Sequence, residues 1–103
     1  MTKYVYVYHG GTMPQTPEEG EKVMAAWSAW FGTLGKAVVD AGAPFGKSTT
    51  VSASGTADSG GANPASGYSI VEAADLNAAI AMAKGCPIIS NNGSVEIAEA
   101  LPM

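Results

Sequence analysis

His9 and Asp40 are the two side chains in this sequence best suited to moving a proton. His9 is the single histidine. Its ordinary pKa lies close to neutrality, so it can serve as a general acid or base. It ends an alternating apolar stretch just before Gly10-Gly11, and strand ends often border clefts. The plainer role is a histidine hydrogen-bonded at the end of a sheet. Asp40 stands at the expected end of a helix, where a carboxylate opposes the helix macrodipole. A residue that breaks a local rule hints at function, although a solvated aspartate at a helix end is common. The two flank one expected helix of about two dozen residues, roughly 35 Å long. That length keeps them from pairing within one chain.

Other side chains point to binding. Trp27 and Trp30, with Phe31 beside them, could line a pocket for a flat apolar ligand. The same helical spacing equally describes a core stripe. Phe45 opens the segment Phe45-Gly46-Lys47-Ser48, in which Lys47 could hold an anion while Ser48 donates a hydrogen bond. The Gly-Lys-Ser triplet is no phosphate-binding loop, because the earlier glycine is missing and a strand pattern follows. Cys86, before Pro87, sits at a helix C-terminus, which disfavours a thiolate. One histidine and one cysteine at unrelated positions make no metal-ligand spacing. No cofactor is expected.

The elements that must position these residues follow from periodicity. Lys3 to His9 alternates with period two, Tyr4, Tyr6 and Tyr8 on one face and Val5, Val7 and His9 on the other. Both faces are largely apolar, so both need cover. Thr16-Pro17-Glu18-Glu19 is a helix start, with Thr16 capping, Pro17 in the first turn and Glu19 completing a capping box. Val23, Trp27, Trp30, Leu34 and Val38 recur at helical spacing. The helix is predicted to run to about Asp40, with Gly42 and Pro44 ending it. Gly32 and Gly35 inside it suggest a close approach to a neighbouring element. A second strand is predicted over Lys47–Ala53 and a flexible connection or lid over Ser54–Ser66. A third strand is predicted over Gly67–Ala73. A second helix capped by Asp75 follows, with Leu76, Ala79, Ile80 and Ala83 on its buried face. The last strand is predicted over Ser94–Ala100, with Val95 and Ile97 on one face.

The order strand, helix, strand, strand, helix, strand is that of an α+β ferredoxin-like βαββαβ domain. Right-handed crossovers make it a four-stranded antiparallel sheet with both helices on one face. The whole chain, residues 1–103, reads as one domain with one core. The uncovered sheet face is economically closed by a second copy.

Composition narrows the partners. The chain is 47% hydrophobic and 14% charged, too apolar for a disordered segment. So few charges suggest a surface buried against a partner. A net charge of −4 with five scattered basic residues argues against nucleic acid and against a polybasic membrane contact. No apolar run approaches the roughly 20 residues of a membrane span. The N-terminus enters a strand pattern directly and is no signal peptide. With one cysteine there is no internal disulfide, and a cytoplasmic protein is expected.

The ordered set of local motifs resembles one family. Tyr4-Val5-Tyr6-Val7-Tyr8, Asp40-Ala41-Gly42, Gly67-Tyr68-Ser69-Ile70-Val71-Glu72-Ala73 with Asp75-Leu76, Ala83-Lys84-Gly85-Cys86-Pro87 and Gly93-Ser94-Val95-Glu96-Ile97 are similar to the YCII-related proteins, including their DGPF-type members. A proline-methionine end completes the likeness, which covers nearly the whole chain. The resemblance implies a dimeric α+β barrel in which two ferredoxin-like sheets face each other. It also implies, for some members, a His–Asp pair with the histidine in the first helix. Asp40 matches the aspartate position, but the first helix here has no histidine.

Two functions are compatible with these observations. One is a homodimeric small-molecule-binding domain without catalysis. The other is a lyase- or isomerase-type enzyme with Asp40 as acid–base residue, assisted by Lys47, Ser48 or His9. The misplaced histidine favours the first, and the retained Asp40 favours the second.

Overall fold

A computed structural model describes residues 1–102; Met103, half of the proline-methionine end, lies outside the described residues. The elements run β1 (Thr2–Gly10), α1 (Pro17–Leu34), β2 (Val38–Pro44), β3 (Thr50–Ser52), β4 (Gly55–Ala57), β5 (Ala65–Ala73), α2 (Leu76–Ala83) and β6 (Gly93–Glu99). Four of the strands form an antiparallel sheet in the order β2-β5-β1-β6, as in the ferredoxin-like fold.

The Tyr4-Tyr6-Tyr8 stripe explains why both helices lie on one side. All three rings are buried. Tyr6 stacks on Trp30 of α1 with ring centroids 6.1 Å apart, and its hydroxyl donates to the Ala79 carbonyl of α2. Tyr8 meets the edge of Trp27 at 4.9 Å. Val71 and Ala73 of β5 complete this layer, with Ala79 and Ala83 of α2. A buried phenol needs a hydrogen-bond partner, and Tyr6 and Tyr8 both have one.

Both helix starts follow the sequence. Thr16 Oγ1 accepts the Glu19 N–H at 3.1 Å, and Asp75 Oδ1 accepts the Ala78 N–H at 2.9 Å. The end of α1 does not. It stops at Leu34, and Gly35 at φ +56° leads into a single tight turn, Gly35–Ala37. Val38–Pro44 is then not helix but β2, the edge strand beside β5. Lys47–Ala53 is correspondingly not the second strand of the sheet. Thr50–Ser52, inside that expected strand, pairs instead with Gly55–Ala57, inside the segment expected to be a flexible connection or lid, and the two form a separate two-stranded hairpin. Gly32 meets nothing within 4 Å, so no close approach explains it.

β2 is bulged. Its pairing with β5 shifts register between Val38 and Asp40 and again between Asp40 and Ala43. Gly42 makes the second shift possible. Its φ is +76°, and a Cβ there would lie 1.7 Å from the Tyr68 carbonyl oxygen. Only glycine fits a position that is both left-handed and this close to neighbouring backbone.

Among the described residues, no element covers the other face of the sheet. By strand alternation it carries Val5, Val7 and His9 of β1, Tyr68, Ile70 and Glu72 of β5, and Glu96 of β6. Val7 stands between Tyr68 and Glu96 in the registers on its two sides.

Candidate functional site

Asp40 is a strand residue, and its carboxylate serves the bulge. Its Oδ1 accepts the Gly42 N–H at 2.8 Å, an Asx-type turn across the irregular step. Its Oδ2 accepts the Tyr68 hydroxyl at 3.0 Å. Asp40 is exposed. Its proximity, through the hydrogen bond first and through charge second, pushes the Tyr68 phenol pKa upward. No helix ends at Asp40, so its carboxylate opposes no helix macrodipole, contrary to the sequence expectation.

His9 lies elsewhere on the sheet. Its imidazole is only 12% exposed. Nε2 is 2.8 Å from Glu96 Oε1, and Nδ1 is 3.1 Å from the Asn63 carbonyl and 3.3 Å from that of Pro64. Both ring nitrogens thus face acceptors, which only the doubly protonated ring can satisfy. The Glu96 hydrogen bond leads in raising the His9 pKa. His9 faces Ala65 on β5, whereas Asp40 faces Ile70. Five residues of antiparallel strand separate them by about 17 Å. They make no His–Asp pair within the chain, although the reason is the sheet register and not an intervening helix.

The binding candidates divide. Trp30 is core, 5% exposed, with its indole N–H donated to the Met82 carbonyl at 3.0 Å. Phe45 stacks on Tyr68 with centroids 5.9 Å apart. Lys47 is paired with Asp58 at 2.9 Å, both side chains open to water. Phe45, Lys47 and Ser48 border a shallow cleft of about 570 Å³ walled by the glycine-rich 58–66 segment. Its one cation is already neutralised by Asp58, which removes the expected anion-holding charge. Cys86 is buried, and burial pushes its thiol up to about 11, which disfavours the thiolate. No group of metal-ligating side chains is found among the described residues.

Trp27 alone of the two tryptophans reaches a second cavity, of about 350 Å³, between α1 and the bulged edge of the sheet. Trp27, Phe31 and Met24 form its helical wall, and the Ala41–Pro44 bulge with Tyr8 and Ser69 forms its sheet wall. Ser69 is fully buried, and it is the polar member of the inward set Gly67, Ser69, Val71, Ala73. Tyr8 donates to Ser69 Oγ at 2.7 Å, and Ser69 donates to the Ala41 carbonyl at 2.7 Å. This relay ties the central strand to the bulge. Burial leads in raising the Tyr8 pKa well above its ordinary value, so the phenol stays protonated. The signal for Ser69 was present in the sequence, as one hydroxyl interrupting an apolar alternation.

A model of the YCII-related domain matches residues 4–103. The chain belongs to the YCII-related family. The match takes in every strand of the four-stranded sheet and both helices, so the bulge, the tyrosine stripe and the cavity all lie within the family's domain. No curated protein and no solved structure matches the chain. No helix is long and apolar enough to cross a membrane among the described residues.

Proposed function

We propose that this YCII-related chain, residues 1–103, is a single domain that forms a homodimer and binds a small molecule without catalysing a reaction. The observation that carries this reading is the state of Asp40. Its two oxygens are committed to Gly42 and Tyr68, and no base or histidine stands beside it. The aspartate that matches the family's proposed catalytic position here shapes a strand edge. The cavity behind that edge is a ligand site of ordinary size; such pockets span about 300–1,000 Å³ and are mostly apolar. The uncovered sheet face, with Val5, Val7, Tyr68 and Ile70 half-buried at its centre, supports closure by the same face of a second copy. An unpaired, buried Cys86 fits a reducing, cytoplasmic setting.

An acid–base enzyme of lyase or isomerase type centred on Asp40 is the second reading. The Tyr68 hydroxyl within hydrogen-bond reach favours it. A phenol whose pKa is raised gives up its proton reluctantly, which weakens that reading.

Thermal unfolding against a panel of neutral and anionic aromatic compounds tests the binding function, since a ligand of the native state raises the melting temperature. Stabilisation that survives in Asp40→Asn is expected. A compound turned over by the native protein but not by Asp40→Asn overturns the non-catalytic reading. Light scattering after size exclusion tests the dimer. A dimer in the native protein and a folded monomer in Val7→Asp are expected, and a monomeric native protein overturns the dimer.

A further inference from the structure

We infer that the cavity between α1 and the β2 bulge selects uncharged aromatic molecules and rejects their carboxylated counterparts. This inference rests on the reading of the protein as a binding domain and specifies what it binds. The first observation is the absence of charge: no Lys, Arg, His, Asp or Glu is among the residues that line the cavity. An anion entering it loses hydration and meets no cation to offset the loss.

The second observation is that the hydroxyls deepest in the wall are already committed, while Ser66 Oγ is buried without a partner among the described residues and Ser28 lies exposed at the rim. The Tyr8 hydroxyl goes to Ser69 and the Ser69 hydroxyl to the Ala41 carbonyl. A carboxylate is best held by several donors at once. Tyr8 and Ser69 cannot turn toward it without leaving a partner unsatisfied, which leaves only the Ser66 and Ser28 hydroxyls to donate. The Tyr8 oxygen keeps an acceptor lone pair, and the unpartnered Ser66 hydroxyl can both donate and accept, which suits a neutral ligand carrying one hydroxyl or N–H. A site with no cation and few free donors disfavours a carboxylate and accommodates a phenol or indole.

The third observation is the shape and polarisability of the walls. Trp27 and Phe31 lie at 5.9 Å and 41° to each other, and Tyr8 presents its ring to Trp27 at 77°. Such inclined rings receive a flat partner in offset or edge-to-face contact. Met24, exposed at 69%, stands on the helical wall as a flexible apolar residue that can adapt to the ligand's outline. Ser28, one turn beyond Met24 on the same helix and also exposed, lines the cavity without belonging to the core.

The test compares naphthol with naphthoate at neutral pH, with tryptophan fluorescence and amide NMR shifts as readouts. Naphthol is expected to bind about tenfold or more tightly than naphthoate, a difference of about 1.4 kcal/mol. The shifted amides are expected to cluster at Trp27, Phe31 and the Ala41–Pro44 bulge. Two variants at the exposed Ser28 leave the core intact. Ser28→Phe is expected to fill the cavity and abolish naphthol binding, and Ser28→Lys to narrow or reverse the preference by supplying a cation. Equal or tighter binding of naphthoate to the native protein overturns the ligand class while leaving the binding function standing. Binding of neither compound, or naphthol binding with shifts confined to the 58–66 segment, overturns this cavity as the ligand site and the binding function assigned to it.

Discussion

The Tyr8 hydroxyl donates to Ser69 Oγ at 2.7 Å across the two central strands of the sheet, and the Ser69 hydroxyl donates in turn to the Ala41 carbonyl on the edge strand at 2.7 Å. Three strands are thus joined by side chains as well as by their ladders. The two donors differ in what their removal leaves behind. Tyr8→Phe removes one donor and leaves Ser69 bonded to Ala41, so a loss of about 1 kcal/mol is expected. Ser69→Ala leaves a buried phenol without an acceptor and a carbonyl without a donor, and about 2–3 kcal/mol is expected. Urea unfolding of the two variants checks the order.

Glycines at positions 42 and 32 should respond oppositely to alanine. Gly42→Ala places a Cβ against the Tyr68 carbonyl at a φ of +76°. A loss of about 3 kcal/mol or more is expected, with the bulge displaced. Gly32 is in the interior of α1 and a Cβ there meets nothing within 4 Å. Gly32→Ala should stabilise by about 0.5–1 kcal/mol, through helix propensity alone. Thermal or denaturant unfolding distinguishes the two.

The same two positions show what the sequence could and could not disclose. The capping residues Thr16 and Asp75 and the tyrosine alternation are local signals, and each element they start is present. The end of α1 is different. Val38 lies four residues after Leu34, so helical periodicity continues through a segment that is really strand. Gly35, in its left-handed conformation, ends the helix. Gly42 and Pro44, ordinary stop signals, instead belong to a bulged edge strand. That outcome depends on β5 lying alongside, which no local window contains. The β-rich run Lys47–Ala53 misleads for the opposite reason: Thr50–Ser52 is strand, but its partner is the adjacent Gly55–Ala57 and not the sheet. At the site, the aromatic wall is legible in the helical spacing of Trp27 and Phe31, whereas the role of Ser69 depends on Tyr8 and Ala41 lying on the strands beside it. The His9–Glu96 contact joins residues 87 apart in sequence and has no local signature.

His9 and Glu96 predict a pH dependence. The folded-state pKa of His9 is raised above its ordinary value, chiefly by the Glu96 hydrogen bond. The stabilisation it contributes is therefore fully present below about pH 6.5, the ordinary histidine value, and is lost as pH rises through the raised value. Glu96→Gln should bring the His9 pKa back down and flatten this part of the stability profile. NMR titration of the single imidazole follows the pKa directly. An unchanged His9 pKa in the variant would show that Glu96 does not hold the proton.

Asp40 and Tyr68 offer a parallel measurement. Asp40 raises the Tyr68 pKa by hydrogen bond and by charge. Asp40→Asn removes the charge and should lower the alkaline midpoint of one tyrosine in an ultraviolet titration. Because both side chains sit on the open side of the sheet, little loss of stability is expected. The Asx contact to Gly42 survives through the asparagine oxygen.

The strand order has a consequence for how the chain acquires its structure during synthesis. β1 is central, yet both of its neighbours are late: Tyr6 pairs with Ser69 on one side and Ile97 on the other. A ribosome adding about 5–20 residues per second exposes the tyrosine stripe for several seconds before β5 follows it out of the exit tunnel. Through that interval α1 is the only partner available to Tyr6 and Tyr8, by way of Trp30 and Trp27. The helix that walls the cavity in the finished protein thus also shields the nascent first strand from aggregation.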